Sequence, residues 1–173
     1  MKIVKIVGAA FAVLIVLFLA IPAILSPHMH MERSIEINAP AEKVFTQVTD
    51  WENFKKWDPF SESDPTSKAT YEGQGVGARY EWAGEKTGKG RMTLASMEPG
   101  KFVSYDMEFM EPMQGQAKSD FKFESTATGT RVTWSFDEDL TYLNRYWSLL
   151  TDMMMGPAFE KGLQNLKARS EAQ

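Results

Sequence analysis

From Val103 the chain alternates. Val103, Tyr105, Met107 and Phe109 are apolar, and Ser104, Asp106 and Glu108 between them are polar. That period of two predicts a strand with one dry face and one wet face. The same period recurs along most of the chain. Ile35 and Ile37 stand against Ser34, Glu36 and Asn38. Ala78, Tyr80 and Trp82 stand against Arg79 and Glu81. Met92, Leu94 and Ser96 are predicted to point inward, with Arg91 and Thr93 outward. Phe121 and Phe123 oppose Lys118, Asp120, Lys122 and Glu124, and Val132, Trp134 and Phe136 oppose Arg131, Thr133, Ser135 and Asp137. With the short segment ATYEG these make about seven strands, joined by glycine-rich turns. Such alternation belongs to an antiparallel sheet that is solvated on one side and needs cover on the other.

The cover has helical spacing. Pro40 opens a first helix carrying Val44, Phe45 and Val48. WENFKKW follows as a second, with Trp51, Phe54 and Trp57 on one side, and DPFSESDPTS reads as a loop. From Asn144 to Lys167, the residues Tyr146, Leu149, Leu150, Met153, Phe159, Leu163 and Leu166 share one helical stripe. Gly156-Pro157 interrupts it. An interior proline costs a helix about 3 kcal/mol, so the sequence predicts a long helix bent there, or two helices. The order predicts an α+β fold: a curved antiparallel sheet wrapped on a long C-terminal helix, with two short helices closing one end.

The first residues belong to a different solvent. Lys2 and Lys5 precede a stretch from Ile6 to Leu25 that carries no charge. Its 20 residues, at about 1.5 Å each, match the ~30 Å hydrocarbon layer. The preceding lysines predict a single-pass anchor in the cytoplasmic membrane, N-terminus inside, with the domain on the extracytoplasmic (periplasmic) side. A cleaved signal peptide is the competing reading, but its apolar region is ordinarily only about 7–15 residues. A buried core helix would need partners all round. The expected organisation is an anchor over 1–26, a linker over 27–31 and a domain over 32–173. His28 and His30, the only histidines, fall in that linker, and no metal site is expected from them.

Composition narrows the chemistry. Cysteine is absent, which removes disulfides, thiolate metal sites and a thiol nucleophile. The net charge is −4 and no basic run follows residue 31, which argues against a nucleic-acid partner. No nucleophile elbow or phosphate-binding glycine loop is present, and no cofactor is expected. Asp58, in WDPF, and Glu85, in AGEKTG, are the carboxylates nearest to where an end of the fold should lie.

The passages RSIEINAPAEKVFTQVTDWENFKKWDPF, GVGARYEWAGEKTGKGRM, GTRVTWSF and FEKGLQNLKA carry a resemblance. The pattern Ile35-x-Ile37-x-Ala39-Pro40-x-x-x-Val44-Phe45, followed by Trp51 and Trp57, is similar to the START-related, birch-pollen-allergen-type helix-grip superfamily (SRPBCC). Within it, the chain resembles the polyketide cyclase/dehydrase and lipid-transport group. The resemblance covers Glu32–Ala168. It implies a hydrophobic cavity between sheet and long helix, and it transfers no catalytic residue by position.

The residues themselves admit two readings of that space. The inward set Tyr80, Trp82, Met92, Tyr105, Met107, Phe109, Phe121, Trp134 and Phe136, with Met153 and Phe159 from the helix, is wide and adaptable. It can line a cavity for a lipid or another hydrophobic small molecule, with a mouth near Phe60, Met110 and Met113. It can equally close a solid core, leaving the surface to act. A cyclase- or dehydrase-like enzyme on a polyketide-like or aromatic substrate is the further alternative. The ligand's identity and the oligomeric state stay open.

Overall fold

The alternation becomes a single seven-stranded antiparallel sheet in the computed structural model, which describes residues 2–172. An apolar helix α1 (Lys2–Ala20) and a 3-10 turn (Ile21–Ala23) lead into β1 (His28–Ile37). Three short helices follow: α2 (Ala41–Thr49), α3 (Trp51–Phe54) and α4 (Pro59–Ser63). Then come β2 (Lys68–Glu72), β3 (Arg79–Gly84), β4 (Gly88–Glu98), β5 (Phe102–Glu111), β6 (Gly115–Ser125) and β7 (Thr130–Asp139). A 3-10 helix (Leu143–Leu149) and the long α5 (Thr151–Ala172) end the chain. The strand order is β1-β7-β6-β5-β4-β3-β2, so the meander from β2 to β7 is closed by β1 returning to its far edge. The helices pack on the concave face, giving an α+β helix-grip arrangement.

Strand register lays the inward residues out in rows across that face. One row runs Val103, Phe121, Trp134. The next runs Leu94, Tyr105, Ser119, Phe136, Met31. A third runs Tyr80, Met92, Met107, Ala117, Glu138, and a fourth Trp82, Gly90, Phe109, Gly115. The first two rows are filled with large side chains and lie under the helices. The last two contain Gly90, Gly115 and Ala117, and they cannot fill the space above them.

The packed end is built from aromatic rings, two of whose polar tips bond backbone carbonyls of α2. Trp134 stacks on Phe159 of α5, centroids 4.0 Å apart, and on Phe121 at 5.0 Å. Trp57 meets the edges of Phe121 and Trp134. Its indole N–H donates to the Gln47 carbonyl at 2.8 Å, and the Tyr105 hydroxyl donates to the Val48 carbonyl at 2.8 Å. Buried rings of this kind each add about 0.5–1.5 kcal/mol beyond their area when well paired. On α5 the buried positions Phe159, Leu163, Leu166 and Ser170 keep helical spacing.

Three expectations change. The sheet begins at His28, because β7 extends to Asp139 and pairs with it, so His28–Met31 are strand and not linker. DPFSES is not all loop: Asp58 caps α4, and Pro59 takes the first-turn position that proline favours. A bulge at Ala95, between the Leu94–Tyr105 and Ser96–Ser104 pairs, turns Ser96 to the outer face. Of the two forms expected for the C-terminal segment, the single long helix is the one formed. It runs unbroken from Thr151, and the irregularity lies earlier, in the 3-10 helix. Gly156 serves Arg33 instead. The Arg33 guanidinium, pointing inward from β1, bonds Asp152 and Glu160, which stand two turns apart on α5 either side of Gly156. A Cβ at Gly156 would lie 2.7 Å from its Nη2.

Gly162 is the other close approach. A Cβ there would stand 2.8 Å from the Trp134 ring and 3.0 Å from Pro59. Gly162→Ala is therefore expected to destabilise by roughly 1–3 kcal/mol, as overpacking does. On an exposed helix face the same change gains close to ~1 kcal/mol. Chemical denaturation of the variant decides the sign.

Candidate ligand-binding cavity

Above the two unfilled rows lies a cavity of about 400 Å³, within the ~300–1,000 Å³ span of small-molecule sites. Its walls are mostly the rings and thioethers of the concave face: Tyr80, Trp82, Met92, Met107, Phe109, Phe121, Trp134 and Phe136. Phe159 and Met155 of α5 close it from above, with Phe54 and Phe60 from α3 and α4. The glycines explain the shape. A Cβ at Gly90 would collide with the Trp82 indole, which lies flat across it, and Trp82 Nε1–H donates to the Thr87 carbonyl at 3.2 Å. A Cβ at Gly115 would stand 3.0 Å from Glu138 Oε1. Exposed lining residues mark the mouth: Met113 and Gln114 from the β5–β6 connection, and Trp147 from the 3-10 helix.

Three anticipated lining residues lie elsewhere. Tyr105 is fully buried beneath α2, its hydroxyl held by Val48, and its ring faces Trp51 and Phe121. Met153 points to solvent at 70 % exposure; its place facing the cavity is taken by Met155, two residues on. Met110 does not reach the mouth. It is the bulged residue between the Gly90–Phe109 and Lys89–Glu111 pairs, and it sits outside the alternation. Phe60 and Met113 do line the cavity.

Among the polar lining residues, which include Ser119, Gln114 and Asn144, the titratable groups perturbed by burial stand at two points. At one wall Asp58, only 6 % exposed, accepts from the Phe60 N–H at 3.3 Å, the Ser61 N–H at 3.0 Å and the Ser61 hydroxyl at 2.6 Å. Burial pushes its pKa up against the pull of those bonds. Burial, and then the nearby Asp58 charge, also push the Tyr80 phenol up, so it stays a hydroxyl. At the mouth Glu138 faces inward, and burial raises its pKa too. Sequence reasoning missed Glu138, although the parity of Val132, Trp134 and Phe136 points to it. Glu85 is exposed in the β3–β4 turn and does not line the cavity.

That turn is held by a different carboxylate. Asp64 accepts from the N–H groups of Thr66, Lys86 and Thr87 and from both threonine hydroxyls. These bonds, Thr66 foremost, hold its pKa well below the usual carboxylate range. On the convex face His28 and His30 bond Asp137, and His28 also bonds Asp139. Asp139, then Asp137, raise the His28 pKa.

The fold and this cavity define a helix-grip protein of the SRPBCC type. The chain belongs to the family described as polyketide cyclase / dehydrase and lipid transport, which matches residues 28–171. Solved structures share the fold at low identity. A protein from Rhodobacter sphaeroides is 16 % identical with a TM-score of 0.63, over 86 % of this chain and 95 % of its own. One from Chromobacterium violaceum is 15 % identical with a TM-score of 0.62, over 83 % and 98 %. The di-domain ARO/CYC StfQ from the steffimycin biosynthetic pathway is 13 % identical with a TM-score of 0.63, over 84 % of this chain and 51 % of its own. No curated protein matches the sequence.

Asp58→Asn keeps one acceptor oxygen for the two Ser61 bonds, gives up the long Phe60 bond and removes the charge. A carboxyl with a raised folded pKa disfavours the fold once it ionises, so the penalty is absent below the unfolded value near ~4 and grows as pH rises through the folded one. The variant is expected to melt higher than the parent at pH 7.5, with the gap closing by pH 4. Thermal melts across that range check it.

Proposed function

We propose that this chain is a membrane-anchored domain that binds a lipid or another hydrophobic small molecule in the cavity between sheet and α5. The observation that carries the reading is the cavity itself: about 400 Å³ walled mainly by rings and methionines, with its buried carboxyls Asp58 and Glu138 at two points. Methionine repacks around irregular guests. Asp58 and Tyr80 at one wall, and Glu138 at the other, would orient a hydroxyl or head group. Family membership agrees with a hydrophobic guest.

Lys2–Ala23 is long and apolar enough to cross a membrane, with none of its most apolar stretch buried, though a signal sequence passes the same test. Retention as an anchor is supported by its contacts. The hydroxyls of Tyr142 and Tyr146 donate to the Leu19 and Phe18 carbonyls, and Arg145 Nη1 donates to the Pro22 carbonyl at 3.0 Å. These oxygens sit at the helix's last turn and beyond, where the helix supplies no partner of its own. The lysines ahead of the span favour an extracytoplasmic domain.

A second reading has its own observation. Asp58 is a buried carboxyl with a raised pKa inside an apolar cavity, beside Tyr80, and groups so perturbed concentrate at active sites. A cyclase-like activity on a polyketide-like or aromatic substrate would need it. Turnover lost in Asp58→Asn and kept in Glu85→Gln would favour this reading.

Binding is tested on the full chain in detergent micelles with a panel of fatty acids, phospholipids and polycyclic aromatics. At least one is expected to raise the melting temperature, since ligand at ~100 times its Kd adds about 2.7 kcal/mol. Met107→Trp, which fills the cavity, should abolish the rise and keep the baseline melt. An equal rise in the variant would sink the cavity as the site.

A further inference from the structure

The 3-10 helix and the start of α5 leave an apolar surface with no cover from the domain. Leu149 is 61 % exposed, Met153 70 % and Met154 60 %, and Leu143, Leu150 and Trp147 are open as well. Between Thr141 and Met155 the only charged residues are Arg145 and Asp152. Both are engaged: Arg145 with the Pro22 carbonyl, Asp152 with Arg33. A contiguous apolar patch on a soluble surface marks something that covers it.

Its position says what does. The Tyr146 ring stacks on Phe18 at 5.1 Å, and Tyr142 and Tyr146 bond the last-turn carbonyls of α1. The 3-10 helix is thus fixed at the depth where the apolar span ends. Tyr142, Tyr146 and Trp147 gather there with one arginine, the residue types that sit at a bilayer's interface, and leucine and methionine project beside them. Trp147 and Met155 also line the cavity, at its mouth.

We infer that this surface seats on the outer leaflet of a lipid bilayer and that the cavity opens into it. A hydrophobic guest then passes between membrane and cavity without crossing water. The inference rests on the reading of Lys2–Ala23 as a retained span, and it adds what that reading lacks: an orientation of the domain and a route for its ligand. Arg33 holds the first turns of α5 to β1 through Asp152 and Glu160, and so keeps the seat in register with the sheet.

The chain has no cysteine, so single nitroxide labels can be placed in the full-length protein. Leu150→Cys and Met154→Cys report on the seat and Met113→Cys on the opposite lip of the mouth. Val13→Cys in the span and Lys122→Cys on the outer sheet face serve as references. The protein is reconstituted in phosphatidylcholine–phosphatidylglycerol vesicles, and collision with oxygen is compared with collision with a water-soluble nickel chelate. Labels at 150, 154 and 113 are expected to shift from the ratio of the sheet reference towards that of the span. Water-like ratios at 150 and 154 with a lipid-like Val13→Cys would overturn the seat and leave the anchor standing. A water-like Val13→Cys would overturn both. Spin–spin broadening between labels at 150 would assign the patch to a second copy of the chain and overturn the lipid seat. A lipid-like seat with a water-like Met113→Cys would overturn the membrane-facing mouth. None of these readouts needs a ligand, so they are independent of whether the cavity proves to bind one.

Discussion

The stack of Trp134 on Phe159 sets the distance between sheet and helix, and the rest of the fold follows from it. Gly162 lets α5 come down onto that tryptophan, and Trp57 and Phe121 wedge in from the sides. With the helix fixed at this end, the space at the other end depends on what the strands put there. Two rows supply glycine and alanine where the filled rows supply tryptophan, phenylalanine and tyrosine. The helix cannot descend to fill the gap without breaking the stack. A solid core and a cavity coexist on one sheet face for that reason.

The polar groups obey the same division. At the filled end Trp57 bonds Gln47, Tyr105 bonds Val48 and Trp134 bonds Ser119, while the buried Trp51 indole N–H has no partner among the described residues. At the open end Asp58, Tyr80 and Glu138 face the cavity, and burial raises all three pKa values. Keeping a carboxyl in such a place costs stability unless something uses it. The outer face carries ordinary exposed ion pairs, such as Arg91 with Glu81 and Arg131 with Glu36, worth little each.

Period-two alternation was enough to find the strands and most of the cavity's walls, because side-chain parity survives wherever pairing is regular. It failed at Ala95 and Met110, where a bulge adds a residue and no local signal announces it. Tyr105 has the right parity but is covered by α2, where the Val48 carbonyl takes its hydroxyl, and no periodicity shows which strand residues a helix will cover. Met153 continues the spacing of Tyr146, Leu149 and Leu150, but those belong to the 3-10 helix; within α5 it is Met155, four residues before Phe159, that shares the buried face. The role of Gly156 is not legible at Gly156-Pro157 itself, because the partner that needs the glycine, Arg33, is over a hundred residues away. Glu138 was legible by parity and was passed over because a carboxylate is not expected to point inward.

The central claim is that the open end of the concave face holds a hydrophobic guest. Native mass spectrometry of the full chain, purified from cells in lipid nanodiscs and followed by organic extraction, tests it most directly. The account predicts one hydrophobic adduct retained at near 1:1 when the bulk lipid is stripped away, and a single compound enriched in the extract. A bare protein mass, with an extract no different from the surrounding lipid, would contradict it.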